Sequence, residues 1–169
     1  MFYSCFNLTS LDLSKFDTSS ATNMRPMFYS CNKIESLNVT GFETSKVENM
    51  KFMFCLCYNL TSLDLINFDT SKVTNMRHMF HSCKNLTSLE LSKFNTSKVA
   101  SMDANLTSFE TSNVTNMRYM FCYCYKLKTL ELSNFDTSNV TNMEYMFYNC
   151  PKLPSLDLSN FDTSAVTNM

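Results

Sequence analysis

Apolar positions along the chain recur with two spacings, and each spacing predicts a different element. In "LPSLDLSNF", Leu156 and Leu158 alternate with Ser155 and Asp157, which predicts a short strand with one buried face. A second short extended piece fits "AVTN". In "NMEYMFYNC", Met143, Met146, Phe147 and Cys150 fall at i, i+3, i+4 and i+7, which predicts a helix of about two turns with one apolar stripe. Asn142 stands at the expected N-cap, with Asn23, Asn49, Asn75, Asn116 and Ser101 at the equivalent positions. All are residue types whose side-chain oxygen accepts from a first-turn N–H.

These elements belong to a repeat that fills the chain. Met-Phe pairs at Met1, Met27, Met53 and Met79 give a period of 26, and Met120 and Met146 resume it after a gap of 41. The sequence divides into four 26-residue repeats over 1–104, a 15-residue unit over 105–119, and two further repeats over 120–169. The short unit, "NLTSFETSNVTNMRY", lacks the Met-Phe and Leu-x-Leu portions, so a local break in the stack is expected between residues 100 and 120. One unit buries too little apolar surface to stand alone, so units must stack with their strands hydrogen-bonded rung to rung. The expected fold is an α/β repeat solenoid, leucine-rich-repeat-like, with parallel short strands on one side and short helices on the other. Met1 coincides with the Met of the later units, so the chain reads as a piece of a longer array. Terminal coils without capping units are expected to fray or to associate end to end.

Composition sharpens this. The chain has one Gly and three Pro in 169 residues, so its turns must be closed by Asn, Asp, Ser and Thr side chains. With 14 basic and 15 acidic residues, net charge implies neither a nucleic-acid nor an anionic-membrane partner. No run of eighteen apolar residues is present, so membrane insertion is not expected.

"VTNMEYMFYNCPKLPSLDLSNF" resembles the BspA-like leucine-rich-repeat family of microbial surface proteins, whose units run apolar-x-x-(Ala or Met)-Phe-x-x-Cys-x-x-Leu into Leu-x-Leu. "FDTSNVTNM" at 135–143, with close copies at 68–76, 109–117 and 161–169, is similar to one branch of it. The resemblance implies display on the cell surface and adhesive binding to host or neighbouring-cell proteins, such as extracellular matrix components.

No catalytic residue, cofactor site or metal site is expected. Cys5, Cys31, Cys57, Cys83, Cys124 and Cys150 share one repeat position and read as a reduced packing column. Cys55 and Cys122 add C-x-C pairs, but in coils too far apart to join as a zinc site. His78 and His81 read as surface residues where other units carry Tyr. G-x-S-x-G, P-loop and H-E-x-x-H motifs are absent from the sequence, and no unit carries its own nucleophile–base pair.

The outward strand columns are the candidate site. One reads Asp12, Asn38, Asp64, Glu90, Glu131 and Asp157, and its neighbour Ser10, Ser36, Ser62, Ser88, Thr129 and Ser155. Like charges at rung spacing repel unless solvated or met by a basic partner, so this stripe is the expected protein-binding face. Tyr3, Tyr29, Tyr119, Tyr123, Tyr125, Tyr145 and Tyr148 are alternative contact anchors. A Thr column (Thr18, Thr44, Thr70, Thr96, Thr111, Thr137 and Thr163) weakly suggests ice or mineral binding. The functional expectation is a non-catalytic adhesin-type array, the alternative a structural spacer in a larger surface protein.

Overall fold

The computed structural model describes residues 1–91, 94, 116–133 and 135–169. Leu-x-Leu segments form short strands, β1 (Ser10–Asp12), β2 (Ser36–Asn38), β3 (Ser88–Leu89) and β4 (Thr129–Leu130). β1 pairs with β2 in parallel, Ser10 opposite Ser36 and Asp12 opposite Asn38. β3 pairs with β4, Ser88 opposite Thr129. Between the two pairs the ladder continues through Thr61, whose N–H donates to Glu35 O at 3.5 Å, and Thr87, whose N–H donates to Thr61 O at 3.2 Å. Bridges Asn23–Asn49, Asn49–Asn75, Asn116–Asn142 and Asn142–Asn168 make a second parallel line. Each repeat is thus one coil, laid in register on the next.

The helical half of the expected α/β architecture does not form. Among the described residues there is no helix, and the Met-x-x-Met-Phe-x-x-Cys stretch is a run of tight turns. In the third coil, Met53 N–H donates to Met50 O, Cys55 N–H to Phe52 O and Cys57 N–H to Phe54 O. Phe52 and Leu56 sit between these turns at φ 61° and 63°, a left-handed conformation that ends any right-handed helix. The same four-residue alternation recurs at His78 and Ser82, Tyr119 and Tyr123, and Tyr145 and Asn149.

The physical reason lies in the N–H groups between the turns. Phe54 N–H donates to Met79 O and Leu56 N–H to His81 O in the following coil. An α-helix spends its interior N–H groups on its own carbonyls and would leave the stack unpaired on this side. The turn run still buries Met50, Met53, Phe54 and Cys57, the same i, i+3, i+4, i+7 stripe that a helix shows. Pro26 occupies the position of Phe52 and His78, and its ring holds φ negative. Only Ser30 is left-handed in that turn run.

Phe rings form the axis of the core. Phe2, Phe28, Phe54, Phe80, Phe121 and Phe147 stack in one column with centroids 5.6–5.9 Å apart. Phe42, Phe68 and Phe94 form a second column at 6.3–6.4 Å. The expected break over 105–119 falls largely outside the described residues. On either side of it the fourth and fifth coils are direct neighbours, with Phe80 and Phe121 5.9 Å apart.

Candidate interaction surface

Alternation along the strands sends Leu37, Leu63, Leu89 and Leu130 into the core and their neighbours outward. Ser10, Ser36, Ser62, Ser88, Thr129 and Ser155 are exposed, as are Asp12, Asp64, Glu90, Glu131 and Asp157; Asn38 is half-buried. The parallel register makes continuous columns of what the sequence only spaces 26 or 41 apart. Ser62, Asp64, Ser88, Glu90, Thr129 and Glu131 line one shallow groove across three coils.

Part of this acidic column also works within its own coil. Asp12 Oδ1 accepts the Ser14 N–H at 2.9 Å, Asp64 Oδ1 the Ile66 N–H at 3.0 Å and Asp157 Oδ1 the Ser159 N–H at 2.9 Å. Asn38 does the same for Thr40 at 3.1 Å. These side chains close the turn that ends each strand segment. Hydrogen bonds from the Ser14 N–H and hydroxyl hold the Asp12 carboxyl below the ordinary range, and the Ser159 hydroxyl and N–H do so for Asp157. Those two carboxyls therefore stay ionised at neutral pH.

The cysteine column faces inward. Cys31 Sγ donates to Phe2 O at 2.9 Å, Cys57 to Phe28 O at 3.2 Å, Cys83 to Phe54 O at 3.2 Å, Cys124 to Phe80 O at 3.4 Å and Cys150 to Phe121 O at 3.0 Å. All eight cysteines are free thiols. Burial pushes Cys55 up to about 12 and Cys122 to about 11, and raises Cys57 and Cys83 as well. A thiol held protonated is a poor nucleophile and a poor metal ligand.

His78 is one step in an aromatic ridge on the turn side. Its ring stacks between Phe52 at 4.9 Å and Tyr119 at 5.1 Å, and Tyr119 stacks on Tyr145 at 5.1 Å. Burial, then the charge of His81, lowers His78 to about 3, and burial lowers His81 too. Both rings are therefore neutral at physiological pH. Tyr3 stacks on Tyr29 at 5.1 Å, and Tyr123 meets Tyr125 and Tyr148 edge-on. The expected tyrosine anchors thus pack on one another along the ridge, while Tyr3, Tyr145 and Tyr148 remain exposed. Cations lie over two of the anchor rings, Lys84 Nζ 6.0 Å from the Tyr125 centroid and the Arg118 guanidinium 4.8 Å from that of Tyr119.

Residues 1–106 and 101–169 match the model of a family described as "Mycoplasma protein of unknown function, DUF285". The chain belongs to that family. No curated protein and no solved structure matches it. The family's two matched segments meet at residues 101–106, where the 26-residue spacing is interrupted.

Two kinds of residue at this surface depart from the sequence expectation. Pro154 takes the position of Glu35, Thr61, Thr87 and Lys128, each of which donates its N–H to the preceding coil. Proline has no N–H to give, and the last Leu-x-Leu segment is not a strand. A cleft lined by Thr129, Glu131, Ser155 and Asp157 opens beside it. The Thr column is the other case, because Thr18, Thr44, Thr70 and Thr137 are buried. Buried hydroxyls cannot form an ice- or mineral-binding lattice, and that expectation is withdrawn.

Proposed function

We propose that the chain is a non-catalytic protein-binding array of the adhesin type, from the FDTSNVTNM-type branch of BspA-like surface proteins. Its site is the Ser and acidic stripe, and its ligand an extracellular or host-matrix protein with a basic surface. One observation carries the reading: the register lines up exposed Ser and carboxylate positions across consecutive coils. Extended, periodic faces of this kind suit partners that contact several coils at once. Cell-surface location rests on the family resemblance.

The test reverses the two acidic residues that are glutamates, Glu90→Lys and Glu131→Lys, and measures binding to immobilised matrix proteins. Retention should fall about tenfold or more, as for loss of close charge pairs at an interface. Unchanged binding would remove the stripe from consideration.

A second reading, a structural spacer, is favoured by the turn-closing roles of Asp12, Asp64 and Asp157. A parent protein lacking these coils that still binds its ligand fully would decide for it.

A further inference from the structure

Neighbouring coils are joined along two lines, and between the fifth and sixth coils only one of them is closed. On the turn side, Phe121 N–H donates to Met146 O at 3.0 Å, Tyr123 N–H to Tyr148 O at 2.9 Å and Met143 N–H to Asn168 O at 2.8 Å. On the strand side, among the described residues, no backbone hydrogen bond joins residues 128–132 to residues 154–158. A cleft of about 350 Å³ lies there. Residues 128–133 form one continuous wall, and the rest of the lining, Pro154, Ser155, Asp157, Ser159 and Asn160, comes from the sixth coil.

The first pair of strands shows which backbone groups this leaves over. There Ser36 N–H donates to Thr9 O at 3.4 Å and Leu13 N–H to Asn38 O at 2.8 Å, with Leu11 opposite Leu37. The equivalent groups of the fifth coil are Lys128 O, the N–H and O of Leu130, and Leu132 N–H, which share one edge because strand groups alternate in direction. Thr9 O, Glu35 O, Thr61 O and Thr87 O each accept an N–H from the next coil, but Pro154 has none to give to Lys128 O. Having a single neighbouring strand does not by itself open an edge, since β1 also has one and is paired along its length. Asn160 Nδ2 donates to Leu132 O, Ser133 O and Phe135 O at 3.1, 3.1 and 3.0 Å and closes the far end.

A row of backbone donors and acceptors left open in this way is a template for one more strand. We infer that the cleft binds an extended, basic peptide segment of a protein partner by strand addition, its main chain pairing with Lys128 O, Leu130 and Leu132 N–H. In that pose alternate side chains of the peptide fall in line with the buried Leu130 and Leu132 and with the exposed Glu131 and Asp157. The first alignment suits an apolar residue and the second Lys or Arg. This rests on the strand-face function proposed above, and gives that partner a conformation and a point of entry.

Fluorescence anisotropy tests this with a labelled, end-blocked peptide, Lys-Val-Lys-Val-Lys-Val-Lys, and two relatives, one N-methylated throughout and one with Glu in place of Lys. The plain peptide should bind the unchanged chain saturably. N-methylation keeps the charge but removes the donors, and should weaken binding about tenfold or more, as for loss of one or two backbone hydrogen bonds. The Glu peptide should bind more weakly still. Pro154→Thr restores an N–H and the residue type of Thr61 and Thr87, and should also weaken the plain peptide about tenfold or more while the chain unfolds at the same or higher urea concentration. A plain peptide that does not bind, or an N-methylated or Glu peptide that binds as well, overturns the proposal whether or not the variant folds. So does a folded Pro154→Thr protein with unchanged peptide binding. That variant keeps every carboxylate of the stripe, so its failure removes the cleft and not the stripe, which the charge reversals at Glu90 and Glu131 test separately.

Discussion

At the scale of single residues, Thr137 shows how a polar letter can belong to the core. Its hydroxyl donates to Asp162 O at 3.0 Å and accepts the Asp162 N–H at 2.8 Å. Thr18 makes the same two bonds with Glu43, at 2.9 and 2.8 Å. Each hydroxyl thus joins two coils at the corner where one Gly in the whole chain could not serve every turn. Thr137→Val keeps the shape but strands two backbone groups, and should lower stability by about 1–3 kcal/mol in urea unfolding. Thr137→Ser should recover most of the loss. The recurrence of Thr137 in every copy, in a chain short of Gly, points to a residue that closes this corner; what recurrence does not give is the cross-coil partner that buries its hydroxyl. Asp136 and Asp162 carry the turn chemistry that scarce glycine requires: their carboxylates accept the N–H of Ser138 at 3.0 Å and Ser164 at 2.8 Å, bonds that the variable Asp136 position does not announce in the sequence.

At the scale of elements, strands and turn runs fared differently. Period-two alternation in Leu-x-Leu gives the strands β1 to β4, while the segments at 62–65 and 155–158 carry the same alternation without forming strands. The i, i+3, i+4, i+7 stripe has two answers, since successive tight turns bury the same positions as a helix. Cross-coil hydrogen bonds choose between them. Asn49, Asn75, Asn116 and Asn142 accept the N–H two places on, at 3.0, 3.1, 2.9 and 3.0 Å, as a helix N-cap also does, but the chain beyond them turns instead of continuing as a helix. The two answers predict opposite signs for Ser82→Gly. Ser82 has φ 59°, where glycine relieves the left-handed strain, so stability should rise by up to about 1 kcal/mol. In a helix the change would cost about 0.5–1 kcal/mol. Denaturant unfolding of the pair of proteins measures the sign.

At the scale of the whole molecule, the stack does not need every residue between the fourth and fifth coils. Ser88 faces Thr129 across 41 residues in the same way that Ser10 faces Ser36 across 26. Removing residues 101–115 joins Ala100 to Asn116 and restores the sequence Phe-x-Thr-Ser-Lys-Val-x-Asn-Met-Arg at the normal spacing. The deletion should leave the melting temperature unchanged or raised, since shortening a connection lowers its closure entropy. A calorimetric scan checks it; a lower melting temperature would mean that this segment supports its neighbours.

Taken by itself, the sequence determined the period, the buried columns, the parallel order of the strands and the stripe they expose. Those follow from which side chains are apolar and how often they return, and stacking identical units leaves little freedom in how they align. Only the tertiary structure decided that the Met-Phe stretch turns rather than coils into helix, that threonine hydroxyls are interior, and that the Leu-x-Leu segment after Pro154 is not a strand. Each of these depends on where backbone N–H and C=O groups find partners. In a coil stack those partners lie 25 or more residues away, beyond the reach of any local pattern.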